Sequence, residues 1–342
     1  MFDNPKDARE SVDTTNAREW ASILAKYRKP NALRSWYELA ITAGPFFILW
    51  LMAWWSLSIS YGLALVISIL NAGFLLRLFV IQHDCGHGSF FDNRSLSDWL
   101  GRVIGVFTLT PYDVWRRSHS VHHSTSGNLA RRGMGDIHTL TVKEYQVRKP
   151  FDRLLYRLYR NPIVLFCLGP GYLFFVQNRL PLGFMNNAKF WVSALGTNAA
   201  IFVSLGAVFH FGGVMPILLI FLPTTLLAAA AGVWLFYVQH QFETTHWDAE
   251  EDWQMHEAAL NGSSHYVLPS ALQWLSGNIG IHHVHHVNSR IPFYRLPEVL
   301  RDHVELANIN RMSVRESLQN ATLHLWDEDG KRLLSFAQAR SL

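Results

Sequence analysis

Cysteine is nearly absent. The 342-residue chain holds only Cys85 and Cys167. They form no CxxC pair, so a disulfide framework and a cysteine-ligated iron–sulfur cluster are both excluded. Charge is also scarce: Asp, Glu, Lys and Arg make up 16% of the residues, against about a quarter in an ordinary soluble domain. No glycine-rich GxGxxG text follows a strand-like run, which argues against a bound flavin or nicotinamide cofactor. Residues Met1 to Asn16 are polar and lack the apolar run of a cleaved secretory signal. There is no internal repeat, no low-complexity tract and nothing that points to nucleic acid.

Long apolar runs and aromatic residues fill the space that charge leaves. A bilayer crossing needs about 20 apolar residues. Four stretches qualify, near Ile41–Ile59, Tyr61–Ile81, Phe190–Phe211 and Val214–His240. Short links near Ser60 and at Gly212-Gly213 predict two helical hairpins. Trp54, Trp55 and Tyr61 suit an interfacial aromatic belt. Two further apolar stretches, Leu100–Pro111 and Ile163–Val176, are short or broken by Gly and Pro, and are expected to be interfacial helices. The expected fold is therefore an all-α integral membrane protein with four transmembrane helices in two hairpins. A cytoplasmic helical cap completes it. It reads as a single domain over 1–342, with an N-terminal arm over 1–36, a membrane core over about 39–300 and a C-terminal tail over 301–342.

Orientation follows from lysine and arginine. The arm carries Lys6, Arg9, Arg18, Lys26, Arg28, Lys29 and Arg34. The long middle segment carries twelve more, from Arg94 to Arg160, and the two short links carry none. The positive-inside rule places both termini and the middle segment in the cytoplasm, and a bacterial inner membrane is the expected location.

Eight histidines stand in three clusters: His83 and His87 in HDCGH; His119, His122 and His123 in HSVHH; His282, His285 and His286 in HHVHH. Residues three and four apart share one helix face, so each cluster can aim two or three imidazoles at one point. In the expected topology all three clusters lie on the cytoplasmic side and can converge. Imidazole suits iron, zinc, copper and nickel. Eight imidazoles exceed the needs of one tetrahedral zinc and suffice for two metals of higher coordination number. His303 and His324 are isolated and read as ordinary residues. His283 lies between candidate ligands and is expected to point away from them.

These motifs resemble the membrane fatty acid desaturase family of histidine-box di-iron proteins. Supporting text is similar too: TPYDVWRRSH ending at His119, RRGMGD ending at Asp136, YVQHQFE ending at Glu243, and NIGI from Asn278. The resemblance runs from about Leu39 to Leu300 and is nearest to bacterial and cyanobacterial acyl-lipid desaturases of the Δ12 or ω-6 type. It implies two non-haem iron ions, O2 as co-substrate, a membrane lipid acyl chain as substrate, and a ferredoxin or cytochrome b5 as electron donor. No HPGG text is present, so a fused cytochrome b5 domain is not expected. The resemblance also implies a ninth histidine ligand from the segment after the fourth span. His240 and His246 compete for it, and placement at the end of the span favours His240. Glu243 could orient an imidazole or could be a solvated carboxylate. No catalytic side chain beyond the metal ligands is expected. The rival outcome on the same scaffold is a fatty acyl hydroxylase or a carotenoid ketolase or hydroxylase.

Overall fold

A computed structural model describes residues 17–342. The part of the arm before Ala17, with Lys6 and Arg9, lies outside the described residues. Four helices are long and apolar enough to cross a membrane: Ala32–Ser56, Tyr61–His87, Ala188–Gly212 and Ile217–His240, here called spans one to four. Side-chain caps start three of them. Asn31 accepts from Arg34 N at 3.0 Å, Ser60 from Leu63 N at 3.4 Å and Asn187 from Lys189 N at 3.0 Å, each relieving an unpaired N–H of the first turn.

Span one starts nine residues before the expected boundary and ends earlier, at Ser56. Charge misled the sequence reading here. Glu38 sits inside the helix but is buried with its charge matched, 2.6 Å from Arg77 of span two and 2.7 Å from Arg34. Arg77 Nε also donates to Thr42 Oγ1 at 3.1 Å. Span two likewise continues six residues past Ile81, to His87, and is closed by Gly88 in the left-handed region at φ 69°. The HDCGH text is thus the last turns of a membrane-length helix. Span four opens with a wide turn over Ile217–Phe221 before its regular part, Leu222–His240.

Span two is the central helix, packed against spans one and four and the helix Arg94–Phe107. Some 56% of its apolar window is buried, against 6% for span three. The second hairpin is therefore more open than the sequence suggested. Span three packs chiefly on Arg94–Phe107 and the helix Tyr112–Thr125, and meets its partner mainly at Ile217–Phe221. The two shorter apolar stretches do not span. Arg94–Phe107 has 14 residues, or about 21 Å at 1.5 Å per residue, short of a hydrocarbon core of about 30 Å. The other forms one helix over 162–175, of the same length, with a wide turn at Val164–Leu168.

A cap of short helices covers the ends of spans two and four. Its helix Tyr112–Thr125 is fixed to Arg94–Phe107 by Arg102, whose Nε and Nη2 reach Asp113 at 2.9 and 3.1 Å. Asp98 adds a second anchor, accepting from Tyr112 at 2.7 Å and from Arg116 at 3.0 Å. Segment 301–342, expected as a tail, is built into this cap. Arg311–Ser313 pairs in parallel with His265–Val267. Leu325–Asp327 lies between Leu140–Thr141 and Arg332–Leu334, parallel to the first and antiparallel to the second. Arg160, fully buried, ties this region to span four through Tyr237, Gln241 and the Leu323 carbonyl.

Candidate metal centre

Each histidine cluster sits on a helix of its own. His83 and His87 end span two; His119, His122 and His123 lie on Tyr112–Thr125; His282, His285 and His286 lie on His282–Val287. His240 is the last residue of span four. Together these nine imidazoles form two groups. His83, His87, His119, His123 and His285 make one, and His122, His240, His282 and His286 the other; within each, one nitrogen per ring lies within 4.8 Å of the rest.

The spacings suit a metal. In the first group, Nε2 atoms face each other at 3.3 Å (His83–His87), 3.0 Å (His87–His119), 3.1 Å (His119–His123) and 3.1 Å (His123–His285). In the second, His240 Nε2 lies 3.1 Å from His122 and 3.0 Å from His282. Two nitrogens each about 2.1 Å from one ion and at right angles would be about 3.0 Å apart, given ordinary metal–imidazole bond lengths. The cap imidazoles His119, His123, His282, His285 and His286 are held well below the usual histidine range, first by burial and then by their imidazole neighbours. His122 and His240 use Nδ1 as the donor, to Asp136 and the Gly262 carbonyl, so their Nε2 lone pairs face each other at 3.1 Å, a contact that a shared cation would relieve. Buried His286 has no hydrogen-bond partner on either nitrogen among the described residues, which fits a ring whose nitrogen is a metal ligand.

The fatty acid desaturase family model matches residues 62–317, a stretch containing all nine histidines. The chain belongs to the fatty acid desaturase family. A fatty acid desaturase of Bacillus subtilis (strain 168) is 44% identical over 92% of this chain and 89% of its own length. Two relatives from Synechocystis sp. are more distant. An sn-1 acyl-lipid omega-3 desaturase (ferredoxin) is 29% identical over 64% of this chain and 61% of its own length. An sn-1 oleoyl-lipid 12-desaturase is 26% identical over 78% and 74%. The chain is accordingly an oxidoreductase that acts on lipid.

Around the desaturase centre lies a layer of residues that fix the rings. Asp136 accepts a hydrogen bond from His122 Nδ1. The Gly262 carbonyl accepts from His240 Nδ1 at 3.1 Å. Asp84 lies beside His83 Nδ1 at 3.3 Å, and its other oxygen accepts from Phe293 N at 2.7 Å. Such partners set which nitrogen faces inward. Trp115 stacks on His119, centroids 4.7 Å apart and planes 15° apart. The glycine of HDCGH makes room for that indole, since a Cβ on Gly86 would stand 2.8 Å from a Trp115 ring carbon.

Other histidines are elsewhere. His246 is partly exposed and pairs with Asp248 at 2.6 Å. His283 turns away from both groups and donates to the Leu306 carbonyl at 2.9 Å. His303 packs edge-on against Trp20, and His324 stacks on Phe336. Glu243 is exposed, and the carboxylate that orients a ring of the second group is Asp136 instead. Nothing in the RRGMGD text itself assigns Asp136 this role. Its distance of 14 residues from His122 hides the contact, because Gly133 and Gly135, both at positive φ, fold the loop back over the helix.

Proposed function

We propose that this desaturase introduces a cis double bond into the acyl chain of a membrane lipid, using O2, two electrons from an external carrier and two iron ions held by the nine imidazoles. The observation that carries this reading is the meeting of five and four imidazoles at the ends of two membrane-length helices, in a chain of this family. Ferrous iron with O2 would supply the oxidant that removes one hydrogen from each of two adjacent methylenes, a step beyond any side chain. The whole reaction takes one O2, two electrons and two protons, and yields the double bond and two waters.

The protein's own residues contribute position and exclusion of water. His83, His87 and His240 are carried on long helices, which hold a ligand set more precisely than loops. Asp136 and the Gly262 carbonyl keep Nε2 of His122 and His240 directed inward. Burial of the rings keeps bulk water from competing with the acyl chain. The electron carrier in this reading is a ferredoxin or cytochrome b5. The ferredoxin-dependent omega-3 relative supports ferredoxin, and the exposed Arg117, Arg148 and Lys149 of the cap would steer an acidic carrier. The lysine and arginine asymmetry supports cytoplasmic termini, with the cap on the cytoplasmic face of a bacterial inner membrane. For regiochemistry, the sequence texts favour a Δ12 (ω-6) position, while the relatives include both omega-3 and 12-desaturases.

The test is expression in a bacterial host, with mass spectrometry that locates double bonds in extracted acyl chains and iron analysis of the purified protein. A new species two hydrogens lighter is expected, absent with His122→Ala. A product one oxygen heavier would make the enzyme a hydroxylase. A new bond away from carbon 12 would overturn the position but not the activity. A single zinc with no iron would overturn the cofactor.

A further inference from the structure

Arg179 has no carboxylate partner among the described residues. It closes the short helix Gln177–Arg179 that leads into span three. Its Nη1 donates to Asn198 Oδ1 at 2.7 Å and its Nη2 to the Leu109 carbonyl. Asn198 returns a bond to the Arg179 carbonyl at 2.8 Å. Nε is buried with no partner among the described residues. A guanidinium has five N–H donors, so this one is held firmly by neutral partners and has donors to spare. At the edge of a membrane span, a partly buried arginine with no counter-ion is costly unless an anion joins it.

From Arg179 a groove of about 480 Å³ runs along span three, lined by Asn198, Ile201, Phe202, Leu205 and Phe209. The positions recur every three or four residues, so they form one helix face. From Asn198 to Phe209 that face covers about 16 Å. It is open to the bilayer, with Phe202 80% exposed. Gly206 also lines it, and a Cβ there would meet nothing within 4 Å. The charged end is the cap end, because Ser193, one turn before Thr197 and Asn198, accepts from Asp113 N of the cap helix at 3.2 Å. A fixed cation nearest the cap and an apolar channel leading away from it match the polarity of a membrane lipid.

We propose that this groove binds one anionic phospholipid, its phosphate on Arg179 and one acyl chain along Ile201, Phe202, Leu205 and Phe209. Charge complementarity selects the occupant, since a zwitterionic headgroup brings its own cation to a guanidinium that needs an anion. None of the nine histidines lines the groove, so the site is separate from the metal centre and stands or falls independently of the desaturation reading.

The test uses the full chain in nanodiscs of phosphatidylcholine doped with phosphatidylglycerol, with native mass spectrometry counting lipids that stay bound. The intact protein should retain one phosphatidylglycerol in preference to phosphatidylcholine. Arg179→Ala should weaken that retention about tenfold or more, as expected for losing hydrogen bonds to a charged group. Gly206→Trp fills the channel while leaving Arg179 and its partners in place, and should displace the lipid as well. Equal retention of the two lipids by the intact protein would overturn the proposal. So would unchanged phosphatidylglycerol retention in either variant.

Discussion

Asp136→Asn is the sharpest test of the two-group arrangement. The substitution keeps size and shape but replaces a charged acceptor on His122 Nδ1 with a neutral amide. Hydrogen bonds to charged groups contribute about 1.5–3 kcal/mol, and only 13% of the Asp136 side chain is exposed, so solvent discounts little of that. At 1.4 kcal/mol per tenfold, the range corresponds to roughly 10–150-fold, in line with the about 10–100-fold typical of residues that orient a metal ligand. The loss should be confined to one group, because Asp136 touches His122 and His122 belongs with His240, His282 and His286. With the two irons proposed above, titrating purified protein with a chelator should therefore release one iron from Asp136→Asn at concentrations that leave both in the unsubstituted enzyme. The second iron should leave at an unchanged concentration, and turnover should fall in step with the first loss. Two irons lost together, or none, would refute the reasoning.

Other predictions concern the rings and their supports. His83→Ala, His122→Ala and His285→Ala should each abolish desaturation without preventing membrane insertion, since the spans supply the insertion energy; His303→Ala and His324→Ala should keep activity, and fatty-acid profiles of the host membrane separate the two sets. His240→Ala should lose iron and activity while His246→Ala keeps most of both, because His246 lies against Asp248 and in neither group; iron analysis showing the reverse would overturn the ninth-ligand assignment. Gly86→Ala should push Trp115 onto His119 and lower iron content and turnover. Overpacking costs about 1–3 kcal/mol, and the helix gains up to about 1 kcal/mol from replacing glycine, so thermal unfolding should shift far less than activity does.

Much of the fold was legible because a bilayer imposes a crude and readable length. The ends of the spans were less so. Hydropathy falls at Glu38 and again at His83, yet both helices continue. Glu38 is neutralised by Arg34 and Arg77, and the latter contact joins residues 39 apart. The roles of Asp136, Trp115 and Arg160 were not legible for a similar reason. Asp136 and Arg160 act across tertiary contacts that leave no period in the sequence, and Trp115, although one turn from His119, owes its place to the distant Gly86. Arg160 shows this most plainly, as a buried guanidinium whose two Nη groups donate to Thr139, Tyr237, Gln241 and the Leu323 carbonyl, drawn from three distant segments.

The division of the histidines was also hidden, but its logic can be recovered from helix geometry. Within a group, each helical pair is spaced by four: His83 with His87, His119 with His123, and His282 with His286. The remaining member of each three-histidine box goes to the opposite group: His122 leaves its box-mates, and His285 leaves His282 and His286. Adjacent residues on a helix of 3.6 per turn are separated by about 100°. His122 and His123 therefore diverge from one axis, as do His285 and His286, and a rigid helix cannot turn both onto one point. A box of the form HxxHH thus supplies a pair to its own group and a single ring to the other. Two such boxes facing each other cross-link the two groups reciprocally, and span two and span four complete them with His83 and His87 on one side and His240 on the other.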